Sequence, residues 1–232
     1  MENNILDSGL FNEGPSISFH ERVEQILNDG FHFSIGECLS EGFDIFKQNP
    51  AGFLGFTLLL TLVNVVPEIA TTTFGEASGS IISVVTNLLT VPLGVGFSLV
   101  AKRIYHEEEY DFSNFFDGFQ HTMPLIIASI LTILATVLGL ILLVIPGIYL
   151  AVAFSWVNSM IIFAGQDSVE AMSISRKVLS KNWFQMAGFL LVLLLVAFAG
   201  LLAFGIGIFV TIPIISCASY VAYEKVIGAN LK

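Results

Sequence analysis

The chain is expected to be an all-α, polytopic membrane protein, and three observations lead there. It is 55% hydrophobic and only 12% charged, about half the ~25% charged residues of a soluble domain. Its apolar residues gather into blocks long enough to cross a bilayer. All nine Lys and Arg residues (Arg22, Lys47, Lys102, Arg103, Arg176, Lys177, Lys181, Lys225 and Lys232) fall between those blocks. If each block goes into the bilayer and returns, every cation stays on one face, which the positive-inside rule makes cytoplasmic. Of the nineteen Asp and Glu, all but Glu68 and Glu76 lie on that side too; Lys and Arg set orientation, so these acids do not weaken it.

Residues 1–33 read as a cytoplasmic segment with one short helix at 19–29, started by a Ser18/Glu21 capping box and stopped at Gly30. Met1 to Gly14 is polar and acidic, without the basic start and apolar core of a signal peptide. The membrane domain is expected over 34–225 and a cytoplasmic tail over 226–232. A first crossing at 51–72 starts after Pro50, and a second at 80–101 follows the polar turn 75–79. The block 123–165 would be roughly 65 Å as one helix, about twice the hydrocarbon thickness. It is expected to break at Pro146-Gly147 into crossings at 123–145 and 147–164. The last block turns at Gly205-Ile206-Gly207, giving 184–204 and 206–223. Six transmembrane helices result, as three hairpins with both termini cytoplasmic. Wedges that dip in and return would give the same charge pattern, but segments of 18–23 residues favour full crossing.

An amphipathic helix precedes each hairpin. Ser34 and Glu37 start the first, with Ile35, Cys38, Leu39, Gly42, Phe43 and Phe46 on one face. Phe112, Phe115, Phe116 and Phe119 form a shorter stripe before the second hairpin. Asp167 and Glu170 start the third, striped by Ala171, Met172, Ser175, Val178 and Leu179. Such helices are expected along the bilayer surface or beneath the bundle.

The chain also repeats itself. Shifted so that Ser34 meets Asp167, it pairs Glu37 with Glu170, Ser40 with Ser173, Asn49 with Asn182 and Gly55-Phe56 with Gly188-Phe189. In the following helices Thr90, Pro92, Ser98, Val100 and Ala101 fall on Thr211, Pro213, Ser219, Val221 and Ala222. Each second helix carries a branched aliphatic residue before proline: Val91-Pro92, Ile145-Pro146 and Ile212-Pro213. Copies that start from the same side are parallel repeats, related by an axis along the membrane normal.

The stretch Ile145-Pro146-Gly147-Ile148-Tyr149-Leu150, with Glu170-Ala171-Met172-Ser173-Ile174-Ser175-Arg176-Lys177 and Asn182-Trp183-Phe184, resembles the membrane domain attached to some bacterial glycerophosphoryl diester phosphodiesterases and related stand-alone bacterial membrane proteins of unknown function. Met172 replaces a Leu of that pattern, and Ile174 stands where a basic residue is common. The resemblance covers roughly 145–190 well and implies a bacterial cytoplasmic (inner) membrane. It carries over no catalytic residue, because the phosphodiesterase activity belongs to a separate soluble barrel.

Function is less legible. The net charge of −10 disfavours nucleic acid as a partner. Cys38 and Cys217 make no disulfide framework and read as reduced packing residues. The run His106-Glu107-Glu108-Glu109, with Asp111 and His121, reads as a solvated acidic loop rather than a metal site, since carboxylates in a row do not converge. Neither a catalytic constellation nor a cofactor motif is expected. The candidate polar membrane positions are Asn64, Glu68, Asn87 and Asn158. Glu68 is expected near the outer interface, about 26 Å along its helix, and the asparagines are expected to hydrogen-bond between helices or to line an outward cavity. Arg176, Lys177 and Lys181 are the candidate lipid-headgroup contacts, each worth about 1 kcal/mol at an anionic surface. The leading expectation is a non-enzymatic module acting through membrane lipids, or through protein partners at the cytoplasmic face, with room for a homo-oligomer. The alternative is a transporter of a small or apolar solute, which requires a polar cavity between the repeats.

Overall fold

A computed structural model describes residues 18–202 and 207–228, and among these it is helical throughout with no strand. The N-terminal helix α1, Phe19–Asp29, carries the expected capping box, and Gly30 closes it at φ 75°, a conformation that suits glycine. The helix α2, Ile35–Gln48, is capped by Ser34, but Glu37 does not complete a box. Its carboxylate instead reaches Lys225, 3.0 Å away. The helix α3, Pro50–Phe74, runs through Pro67, and Gly75 at φ 89° turns the chain directly into α4, Glu76–Gly94. The expected polar turn 75–79 is therefore one residue long, and Gly79 packs against Thr71.

After Val95, α5 continues over Gly96–Tyr105. Pro92, with Gly94 and Gly96 beside it, interrupts the backbone ladder there. The phenylalanine segment Phe112–His121 is a 3₁₀ helix rather than the expected α-helix. Phe115 and Gly118, one turn apart at three residues per turn, face inward, while Phe112 at the start of the segment and Phe119 stay exposed. The helix α6, Thr122–Leu142, ends at Leu143, and α7, Val144–Ala153, follows. The break thus comes at Leu143, three residues before the expected Pro146. Proline is tolerated in a first helical turn, where its missing N–H would have no intrahelical partner. Pro146 therefore sits in the first turn of α7, and Gly147 lets that helix approach Gly139 and Leu140 closely.

A second interruption at Phe154–Trp156 separates α7 from α8, Val157–Ala164. The buried Ser175 hydroxyl donates to the Ala153 carbonyl at that break (2.8 Å). Helix α9 is Ser168–Lys181, α10 is Trp183–Leu202 and α11 is Ile208–Val226. Asp167 starts α9 by accepting from the Val169 and Glu170 amides. The expected turn residues Gly205 and Ile206 lie outside the described residues.

Among the described residues, five helices are long and apolar enough to cross a membrane: Pro50–Phe74, Glu76–Tyr105, Phe112–Leu142, Val144–Ala164 and Trp183–Leu202. The sixth expected crossing, 206–223, falls on α11, which is not among them. That helix buries Pro213, Cys217, Ala218, Tyr220 to Tyr223 and Val226, and a helix wrapped by protein needs no lipid-compatible surface.

The short helices do not lie free. Helix α2 packs along α11 so closely that a Cβ on Gly42 would come within 2.6–2.9 Å of Ala218. The 3₁₀ helix packs on α4–α5, with Gly96 against Phe115 and Gly118 against Pro92. Helix α9 packs on α7–α8 through Ser175 and Ala153, with the Ser180 and Tyr149 hydroxyls 2.6 Å apart. The pattern is cyclic. Each short helix rests on the last helix of the preceding helix pair, and the first rests on the last of all.

Between these elements lies an aromatic core of the fully buried Phe53, Phe56, Phe97 and Phe115, in which Phe53 and Phe56 each contact the rings of Phe97 and Phe115. Phe43, expected on the buried face of α2, is instead 43% exposed, with the Lys47 ammonium 4.9 Å from its ring. Snorkelling and cation–π attraction suit such a position.

Candidate functional site

Among the described residues, polar groups gather beside the acidic run, in a recess of about 540 Å³ lined by Arg103, Glu108, Glu109, Tyr110, Asp111 and Asn114, and in two further places that hold candidate residues. The first is a groove of about 460 Å³ where α9 meets α10, lined by His32, Ser180, Lys181, Asn182, Trp183, Phe184 and Gln185. The chain turns there because Asn182 closes α9. Its side-chain oxygen accepts from the Phe31 amide (3.1 Å), and Gln185 donates to the Phe33 carbonyl (2.6 Å). The groove floor is thus tied to the linker after α1. Trp183 stacks on Tyr149 at 6.4 Å, while Phe184 is 86% exposed. Arg176, Lys177 and Lys181 are all exposed on α9. Aromatic rings beside free cations are what a membrane–water boundary favours.

The second place is a partly open cavity of about 380 Å³ lined by α4–α5, α6, α7–α8 and α11. Thr90, Ser98, Ser129, Ser155, Asn158, Ser159, Ser216 and Ser219 supply its polar lining, with Val91, Gly94, Val95, Ile162 and Ile215 between them and no charged residue. Both helix interruptions, at Val95 and at Phe154–Trp156, lie on its wall. Counted from the basic ends of α5, α6, α8 and α11, Ser98, Ser129, Ser155 and Ser219 all sit about 10–14 Å in, at 1.5 Å per residue. Thr90 reaches about 22 Å by the same count. Ser155 Oγ is buried without a hydrogen-bond partner among the described residues. Thr90 and Ser216 spend their hydroxyls on their own helices.

The remaining candidates are dispersed. Asn64 and Glu68 are exposed on α3, and Asn87 is exposed on α4. Asn64 donates to Leu60 of its own helix (2.8 Å) and Asn87 to Ser83 of its own (3.4 Å). The expected hydrogen bonds between helices are therefore replaced by local ones, which an exposed amide in a helix forms without any partner helix. Of the four membrane positions, only Asn158 faces the cavity. The serines that join it there are the residues sequence reasoning passed over. One signal was available, since Ser98 and Ser219 are equivalent in the repeat alignment and both face the same space.

The acidic run divides among several tasks. His106 Nε2 lies 3.2 Å from Glu224, Arg103 pairs with Asp117 at 3.4 Å, and Asp111 forms a capping box with Asn114 on the 3₁₀ helix. Among the described residues no three His, Cys, Asp or Glu side chains converge as metal ligands would. Lys225 lies 2.7 Å from Glu41 and 3.0 Å from Glu37, and these hydrogen bonds hold its ammonium above the usual lysine range. Burial pushes the Cys38 thiol up to about 11, so it stays protonated and unreactive at neutral pH. No protein family, curated protein or solved structure matches the chain.

Proposed function

We propose that the protein is a non-enzymatic module of a bacterial inner membrane that engages anionic lipid headgroups at its cytoplasmic face. The observation that carries this reading is the α9–α10 groove, where Lys181 and Trp183 share one recess beside the exposed Arg176 and Lys177. In this reading the chain crosses six times, as three hairpins with both termini cytoplasmic, and protein partners dock on that same face. Parallel repeats are supported by the equal fourteen-residue lengths of α2 and α9 and by the asparagine that ends each. They are supported further by the cyclic packing of the short helices. The likeness to the phosphodiesterase membrane domains belongs to this reading. Its residues lie in the first turns of α7, in helix α9 and in the groove itself.

The test uses the full chain in vesicles of brominated phosphatidylglycerol or brominated phosphatidylcholine. Of the two tryptophans, Trp156 is 1% exposed, so quenching reports chiefly on Trp183. Phosphatidylglycerol is expected to quench preferentially, and Lys177→Gln with Lys181→Gln is expected to weaken that preference by about five-fold per charge. Equal quenching by both lipids in the unaltered protein rules the reading out.

A second reading, transport of a small solute, is favoured by the polar cavity. Flux through proteoliposomes tests it, and a chain that passes no uncharged solute is not a transporter of that class.

A further inference from the structure

The cavity stands where the Pro-marked helices of all three pairs approach one another, and repeat proteins in membranes place ligand sites on such axes. The polar part of its lining is uniform in chemistry, with apolar Val91, Val95, Ile162 and Ile215 between. Ser98, Ser129, Ser155, Asn158, Ser159 and Ser219 contribute groups that both donate and accept hydrogen bonds, and no ionisable side chain faces them. Several buried and half-buried hydroxyls elsewhere bond to a carbonyl of their own helix: Thr57 donates to Phe53, Thr61 to Thr57 and Thr71 to Pro67. Those of Thr132, Thr136 and Tyr223, like that of Ser155, are buried without a partner among the described residues. A buried hydroxyl left unpaired costs about 1–3 kcal/mol. A ligand that both donates and accepts recovers that cost, whereas a charged one would enter a space with no counter-charge.

We infer that this cavity is a binding site for an uncharged polyhydroxylated group of roughly tetritol to hexose size. About 380 Å³ lies within the range of small-ligand pockets. The group comes either as a free polyol or as the sugar headgroup of a neutral glycolipid, and both offer the same hydroxyl chemistry. Gly94 lies on the wall, with nothing within 4 Å of the Cβ position and no positive φ. A leucine there fills the space without displacing protein atoms.

The experiment uses the full chain in nanodiscs of zwitterionic lipid. Erythritol, sorbitol and glucose are titrated with saturation-transfer NMR as the readout, and a parallel sample contains diglucosyl-diacylglycerol and is read by native mass spectrometry. Saturable binding in the first arm identifies a free polyol, and retention in the second identifies a glycolipid. Ser155→Ala is expected to weaken binding about 3–10-fold, and Gly94→Leu to abolish it with unchanged helicity and thermal unfolding. Should Gly94→Leu unfold the protein, Ser159→Val carries the same test. A cavity that holds only water, with neither arm saturating, overturns the proposal, as does full binding by folded Gly94→Leu. Polyol binding without flux sinks the transport reading and leaves this inference standing. Lys177→Gln and Lys181→Gln, which test the headgroup reading, are expected to leave polyol binding unchanged.

Discussion

The two ends of the molecule hold together by different means. At the basic end, α1, α2, α5, α8, α9, α11 and the 3₁₀ helix join around large side chains, among them Phe53, Phe56, Phe97, Phe115, Trp156, Tyr220 and Tyr223. At the far end the contacts between neighbouring helices are small ones, with Gly79 on Thr71, Gly139 on Gly147, and Gly200 on Gly207 and Thr211. Around them Leu62, Ile69, Phe74, Ile81, Leu138, Ile141, Leu142 and Leu202 are exposed. Water would penalise that surface heavily, but lipid tails are as apolar as leucine and exert no such force between helices. The near end is therefore a protein core and the far end a set of close-packed helix pairs solvated by lipid.

Graded substitutions should expose this difference. Phe56→Ala removes a ring in contact with Phe97, Phe112, Phe115 and Phe116, and denaturant unfolding in micelles should show a loss of about 3–5 kcal/mol. Gly139→Leu forces α6 away from Gly147 and Leu150, with an expected cost of about 1–3 kcal/mol confined to the α6–α7 pair. Lys225→Met removes the link between α11 and α2, worth about 0.5–1 kcal/mol. Because the folded ammonium pKa is raised, the link holds fully below the ordinary lysine value of about 10.4 and fades as pH climbs through the folded one. The variant should thus differ from the parent equally at pH 6 and pH 9, and converge with it only in stronger alkali. Leu138→Ala, at an exposed far-end site, should change stability in bilayers by less than about 0.5 kcal/mol. A far-end leucine as costly as Phe56 would mean that the helix pairs bury that surface on one another or on a second copy.

Local physics was readable in the chain, and distant packing was not. Ser18, Asp167, Gly30 and Pro50 act within a few residues of themselves, so the helix ends they mark fell where the sequence placed them. The 3₁₀ winding of Phe112–His121 was hidden, since Phe112, Phe115 and Phe119 satisfy helical spacing equally well; its tight seats for Gly96 and Gly118 are tertiary. Pro146 was misplaced because proline marks a break and a first turn alike. The cavity escaped because Ser129 and Ser155 look like any membrane serine until four separate elements bring them together.

The seat of α2 carries a consequence for how the protein is made. Its apolar stripe is covered chiefly by α11, and Arg22 of α1 donates to the carbonyl of Val226 (2.8 Å). Helix α11 leaves the ribosome about 10–40 s after α2 at ordinary rates of translation. Throughout that interval the nascent chain presents Cys38, Ile45 and Phe46 uncovered, so a chain truncated before α11 is expected to keep that apolar stripe exposed rather than to fold into a smaller version of the same bundle.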